Sequence, residues 1–110
     1  MDARRIDELS ADLLSKKVQE AIFPMMSVRR DYARDPKAMW SLLDAMSHFL
    51  FTFGADFDGM GWAAHFKHDG AGGVKGFATG PTLMDATARA AMQMVNGSFN
   101  RFTDIVKGNL

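Results

Sequence analysis

"HFKHDGAGGVKGFATGPTLMDA", residues 65–86, decides how this chain folds. Glycines crowd its middle, alternating apolar and polar residues stand on either side, and a helix-start signal closes it. "GWAAHFKH" (61–68) and "GVKGFATG" (73–80) flank "DGAGG" (69–73), which reads as a β-hairpin with a loop of about five residues. Placing His68 opposite Val74 puts Trp62, Ala64, Phe66, His68, Val74, Gly76 and Ala78 on one face, apolar and suited to a core. The other face then carries Ala63, His65, Lys67, Lys75, Phe77 and Thr79, and a slip of one residue would exchange the faces of one strand. Thr82 caps the helix that follows, with Asp85 three residues on as an abbreviated capping box. Alanines at 86, 88, 90 and 91 let that helix lie close against the sheet, Gly97 stops it, and a short last helix starts at Ser98.

Working back towards the N-terminus, Ile6, Leu9, Leu13, Leu14, Val18, Ala21 and Ile22 recur at helical spacing, and Pro24 ends that helix near Ile22. "FPMMSVRRDYAR" (23–34) is an irregular connection in which Met25, Met26 and Val28 are expected to pack down. Tyr32, with Arg29, Arg30 and Arg34, is expected on an exposed corner. Asp35-Pro36 restarts a helix, Asp as cap and Pro at the first helical position. Met39, Leu42, Leu43, Met46 and then Phe49 or Leu50 form its buried stripe, and a short strand is placed near 50–54. The fold class is α+β, one domain over 1–110. It is a small α-β-α sandwich with about three antiparallel strands and three to four helices, in the order α-α-β-β-β-α-α.

At 110 residues, 47% hydrophobic and 11% aromatic, the chain has enough apolar content for a core without staples. Thirteen basic residues balance thirteen acidic ones, so no bulk field draws it to nucleic acid or to acidic membranes. The absence of cysteine excludes disulfides, thiolate zinc sites and thiol catalysis, and fits a reducing cytosol. The charged start "MDARRIDELSADLL" is unlike a secretory leader, and "FLFTF" (49–53) is far too short to span a membrane. Nine methionines read first as adaptable core filler, second as a soft partner surface.

The chemical motifs fail one by one. Gly70 and Gly72 fit a dinucleotide fingerprint, but its third position is Lys75. "GVKG" (73–76) matches the G-x-x-G of KH domains in letters only, because it enters a strand. His65 and His68 sit three apart on a strand and so face opposite ways. "DFDG" (56–59) lacks the later ligands of a calcium loop. Ser47 and His48 are helix neighbours that do not face each other. The chain is therefore read as non-enzymatic, with neither metal nor cofactor.

Three binding readings stand. The first is a partner-protein surface built from Arg29, Arg30, Tyr32 and Arg34 on one edge and Phe57 and Met60 on another. The second is a small-ligand site for a nucleotide signal, with Lys75, Lys67 and His65 near the Thr82 helix start. The third follows from the order helix, three strands, helix, which resembles double-stranded-RNA domains. Those domains present lysines where this chain has "GPTLMDATAR" (80–89), so nucleic acid is disfavoured.

Tyr32, Asp35, Leu42, Leu43, Trp62, Phe66, Pro81, Leu83, Ala86, Ala90 and Ala91 together resemble the pattern of small phage proteins of the NinX-like, ABA-sandwich kind, over residues 6–95. The chain lacks the "V-A-x-x-V-M-G" phrase often seen in their first helix, and its 49–61 connection is long. The resemblance implies helices on both sides of a small sheet and a phage or prophage origin, with no activity attached. It also implies an accessory protein in the cytoplasm of a bacterial host, binding and modulating or inhibiting a host protein, defence machinery included. A homodimer is compatible with the hairpin edge and the Met and Phe content.

Overall fold

A computed structural model describes residues 6, 8–48, 51–68 and 75–97. Helix α1 (Ala11–Ile22) starts where Ser10 accepts a hydrogen bond from the Leu13 amide at 3.3 Å, and Pro24 follows its end. Helix α2 (Pro36–His48) is capped as its sequence implies: Asp35 Oδ1 accepts from the Lys37 amide at 3.1 Å. Three strands follow, β1 (Phe51–Phe57), β2 (Trp62–His68) and β3 (Lys75–Gly80), then helix α3 (Leu83–Gly97). Thr82 Oγ1 accepts from the Asp85 amide at 3.1 Å and starts α3 at the expected residue.

The sheet is an antiparallel meander in the order β1-β2-β3. Trp62 pairs with Gly80 and Lys67 with Lys75, the register that the alternation implied. Ala64, Phe66, Gly76 and Ala78 are buried on the inner face, while His65, Lys67, Phe77 and Thr79 are exposed on the outer one. Strand β1 runs further than 50–54. Its pairing with β2 continues to Phe57↔Trp62 and overrides the weak strand preference of Gly54-Ala55-Asp56. The turn after it is closed by Asp58, whose Oδ1 accepts from the amides of Met60 (2.8 Å) and Gly61 (2.9 Å), while Gly59 takes φ +90°.

Among the described residues the architecture has two layers, not a sandwich with helices on both faces. The outer sheet face carries Thr52, Asp56, His65, Lys67, Phe77 and Thr79, all exposed, so none of the described elements covers it. The order seen is α-α-β-β-β-α. The last helix expected from Ser98, the 69–73 turn and the Phe49–Leu50 junction lie outside the described residues. No helix among the described residues is long and apolar enough to cross a membrane.

Helix α3 is the centre of the fold. Ala86, Thr87, Ala88, Ala90, Ala91 and Met94 are fully buried, so the helix is enclosed on nearly every side. It touches β3 at Gly76, where an added Cβ would stand 2.6 Å from the Met94 amide nitrogen and collide with the Ala90 carbonyl. Asp85 and Arg89 form a nearly buried ion pair (Nε to Oδ1 2.6 Å), and Arg89 also donates to the carbonyls of Ile6 and Leu9 at 2.7 Å each. That clasp ties the residues before α1 to the central helix and draws Ile6 into the core.

Two expectations reverse. Helical spacing sends Leu13 inward, yet it is 49% exposed; the buried stripe of α1 is Leu14, Ser15, Val18 and Gln19, half of it polar. Met25, Met26 and Val28, expected against the core, are 95%, 42% and 63% exposed, while Tyr32, expected outside, is fully buried. Gly76→Ala is expected to lower the unfolding free energy by roughly 2–3 kcal/mol in urea titration, because the collision is with backbone that has little room to shift. Gly59→Ala should cost about 1 kcal/mol for its left-handed φ alone.

Candidate functional site

The exchange of Tyr32 for Met25 and Val28 has a cause in α1. Gln19, buried on its inner side, sends Nε2 to the carbonyl of Phe23 at 3.0 Å and to that of Met26 at 3.4 Å, and its Oε1 accepts from Tyr32 Oη at 2.9 Å. One amide side chain thus uses both ends to hold the start and the finish of the 23–32 segment. Ser15, one turn earlier, donates to Asp31 Oδ1 at 2.9 Å and accepts from the Ala33 amide at 3.1 Å. The Tyr32 ring stacks on Phe23, centroids 5.2 Å apart and planes 4° from parallel. Burial pushes the Tyr32 hydroxyl above its ordinary pKa, against a smaller opposite pull from Arg30.

Held in this way from below, the segment turns every residue from Pro24 to Arg30 outward. Beside it lies an open cleft of about 290 Å³ lined by Asp12, Ser15, Lys16 and Gln19 of α1 and by Arg29, Arg30, Asp31 and Arg34. Arg34 bridges Asp12 and Asp31, with Nε 2.7 Å from Asp31, and those two carboxylates hold its guanidinium more firmly protonated than usual. Arg30 donates to Ser41 Oγ at 2.6 Å. Lys16 and Arg29 have no partner among the described residues. Four cations stand over two acids, and both acids are taken by Arg34, so the cleft offers unspent positive charge beside the bare thioether of Met25 and the side chain of Val28. Such a surface binds an acidic group with an apolar neighbour.

The second edge foreseen in the sequence is the β1–β2 turn. Met60 is 93% exposed and Phe57 59%, with the Phe57 and Trp62 rings 5.1 Å apart. Asp58, exposed and bound to two amides, has its carboxyl pulled below the usual range. Trp40, 65% exposed on α2, went unremarked in the sequence; its place off the Met39–Leu42–Met46 stripe was the available signal.

Of the residues named for partner contact, Arg29, Arg30, Arg34, Phe57 and Met60 are exposed, whereas Tyr32 is a buried support. The four residues named for a small ligand do not converge. His65 lies on the outer face of the middle strand with its ring over Gly54, where an added Cβ would stand 2.6 Å from Nε2. Lys67 pairs with Lys75 at one end of β3, and Thr82 follows the other end, roughly 17 Å away at strand rise. Positions 65 and 68 alternate to opposite faces of one continuous strand. Helix α2, the three strands and α3 do follow the order of double-stranded-RNA domains, but the first turn of α3 offers Leu83, Met84 and a buried Asp85 in place of lysines. Ser47 Oγ donates to the Asp44 carbonyl at 2.7 Å, and His48 Nδ1 lies 2.7 Å from the same oxygen. No protein-family model, curated protein or solved structure matches this chain.

Gln19→Leu leaves the Tyr32 hydroxyl unpaired and removes the side-chain bonds to the Phe23 and Met26 carbonyls, and is expected to cost about 2 kcal/mol; Tyr32→Phe should cost about 1 kcal/mol. Tyr32 is the one tyrosine of the chain, so ultraviolet absorbance titrates it alone. Its folded pKa is raised above the ordinary 10.0, so its contribution to stability is intact below that pH. That contribution falls as pH rises from 10.0 through the folded value, and titration at the ordinary value would contradict the buried placement.

Proposed function

We propose that this chain is a non-catalytic binding protein that docks on a larger protein through the 24–30 segment and the arginine cleft beside it. The observation that carries this reading is the orientation of that segment: Met25, Met26, Val28, Arg29 and Arg30 all face solvent on a backbone pinned by Gln19. Exposed Met and Arg side chains together are the composition of interface anchors, and ordering them before contact removes part of the entropic cost of binding. The cationic cleft selects a partner surface with carboxylates. Met60 and Phe57 at the β1–β2 turn supply a second edge.

The resemblance to NinX-like phage proteins gives the biological setting of this proposal: an accessory protein of phage or prophage origin acting on a host protein in the bacterial cytoplasm, where inhibition of defence machinery is the role we infer. The test compares the wild type with surface variants. Immobilised protein should retain a stoichiometric host protein from lysate, and Val28→Asp or Arg29→Glu should weaken retention by roughly tenfold or more with an unchanged melting temperature. Retention should also weaken in high salt. Variants that fold and still retain the same protein would remove the segment from the interface.

A further inference from the structure

The three-stranded sheet has two edges, and they are built differently. The β3 edge is short, starts with Lys75 and is followed by Pro81, features that discourage strand pairing. The β1 edge, Phe51–Phe57, has neither Lys nor Pro, and its pairing with β2 runs one-to-one without a bulge. Among the described residues, the backbone from Thr52 to Phe57 bonds only within the sheet, which leaves its outward-facing amides and carbonyls open to a further strand. Such an edge is a template for another strand.

We infer that the β1 edge pairs antiparallel with β1 of a second copy of this chain, about a twofold axis at Gly54, to give one six-stranded sheet. The sequence of β1 fits itself in this register. Thr52 lies opposite Asp56 of the second copy, Phe53 opposite its Ala55, and Phe51 opposite its Phe57. On the inner face, the exposed Phe57 of one chain comes to lie beside the buried Phe51 of the other. In the dimer Phe57 belongs to the twofold contact and no longer to the docking edge, which keeps Met60 and the 24–30 segment.

On the outer face the charges agree. Asp56 and Lys67 are both exposed, and neither has an ion-pair partner among the described residues. Thr52 pairs with Lys67 inside each chain, so the row across the junction reads Lys67, Thr52, then Asp56 of the second copy. A lysine side chain is long enough to reach over the threonine to that carboxylate, and the twofold axis makes the contact twice. Centring the axis on Asp56 would instead set the two carboxylates against each other. The pairing chooses its register by charge.

Sedimentation equilibrium over a wide concentration range tests this on the full chain. The wild type is expected to dimerise. Thr52→Asp, which sets a new carboxylate against Asp56 of the second copy at two places, should weaken the dimer by roughly tenfold. The double variant T52D/D56K should restore it, because the introduced aspartate then faces the introduced lysine across the axis. Both positions are exposed, and circular dichroism checks that the variants fold. A wild type that stays monomeric, a dimer indifferent to Thr52→Asp, or a double variant that stays weak would each overturn the proposal. None of these outcomes bears on the 24–30 segment, so partner docking stands or falls separately.

Discussion

The distance between α3 and β3 at Gly76 governs where every other element sits. A residue with a Cβ there would force helix and strand apart, and the gap would open along the whole inner face of the sheet. Ala86, Ala90 and Ala91 make the same accommodation from the helix side. Brought this close, α3 leaves room for α1 and α2 to pack on it and on β1 without a further layer. The Asp85–Arg89 pair then fixes how the N-terminal residues arrive, since Arg89 reaches the carbonyls of Ile6 and Leu9 while held by Asp85. Burying that pair is weak evidence for stability; its value lies in permitting one arrangement of Ile6 against α3.

A core with so many alanines has a consequence for the surface. Each buried alanine contributes little area, and the large apolar side chains that a bulkier core would absorb remain outside: Met25, Val28, Trp40, Phe57, Met60 and Phe77. The 47% hydrophobic content therefore overstates what the interior uses. Methionine, read first as core filler, divides: Met39, Met46, Met92 and Met94 fill the core, and Met25 and Met60 are almost bare.

What could be read from the chain was what is decided locally. The caps at Asp35 and Thr82 and the end of α1 before Pro24 each depend on a few adjacent residues, and each falls where the sequence put it. The β2–β3 register was legible because a one-residue slip would split Ala64 and Phe66 from Gly76 and Ala78 across the two faces, while the loop length placed the strands opposite each other. The 23–34 connection was misread because its orientation is set at a distance. Nothing within "FPMMSVRRDYAR" reveals that Gln19 and Ser15, polar residues on an apolar stripe, wait beneath it. Hydrophobicity alone sends Met25 and Val28 inward and leaves a tyrosine among arginines outside. Part of the arginine cleft was legible, as a run of Arg, but its α1 wall of Asp12 and Lys16 was not.

That inversion is the strongest physical argument for a binding role. Turning Met25 and Val28 inward and Tyr32 outward would have removed apolar area from water and spared α1 the burial of a serine and an amide. The chain does the opposite, and satisfies each buried group beneath the segment: both ends of Gln19, the Ser15 hydroxyl and the Tyr32 hydroxyl all have partners. A fully satisfied polar support rigidifies what lies above it, whereas an apolar floor would have let the segment slide. What lies above it here is an apolar and cationic ridge in water, an arrangement that folding alone gives no reason to prefer. Contact with another molecule gives that reason, because the ridge then trades water for an acidic and apolar surface without first having to be ordered.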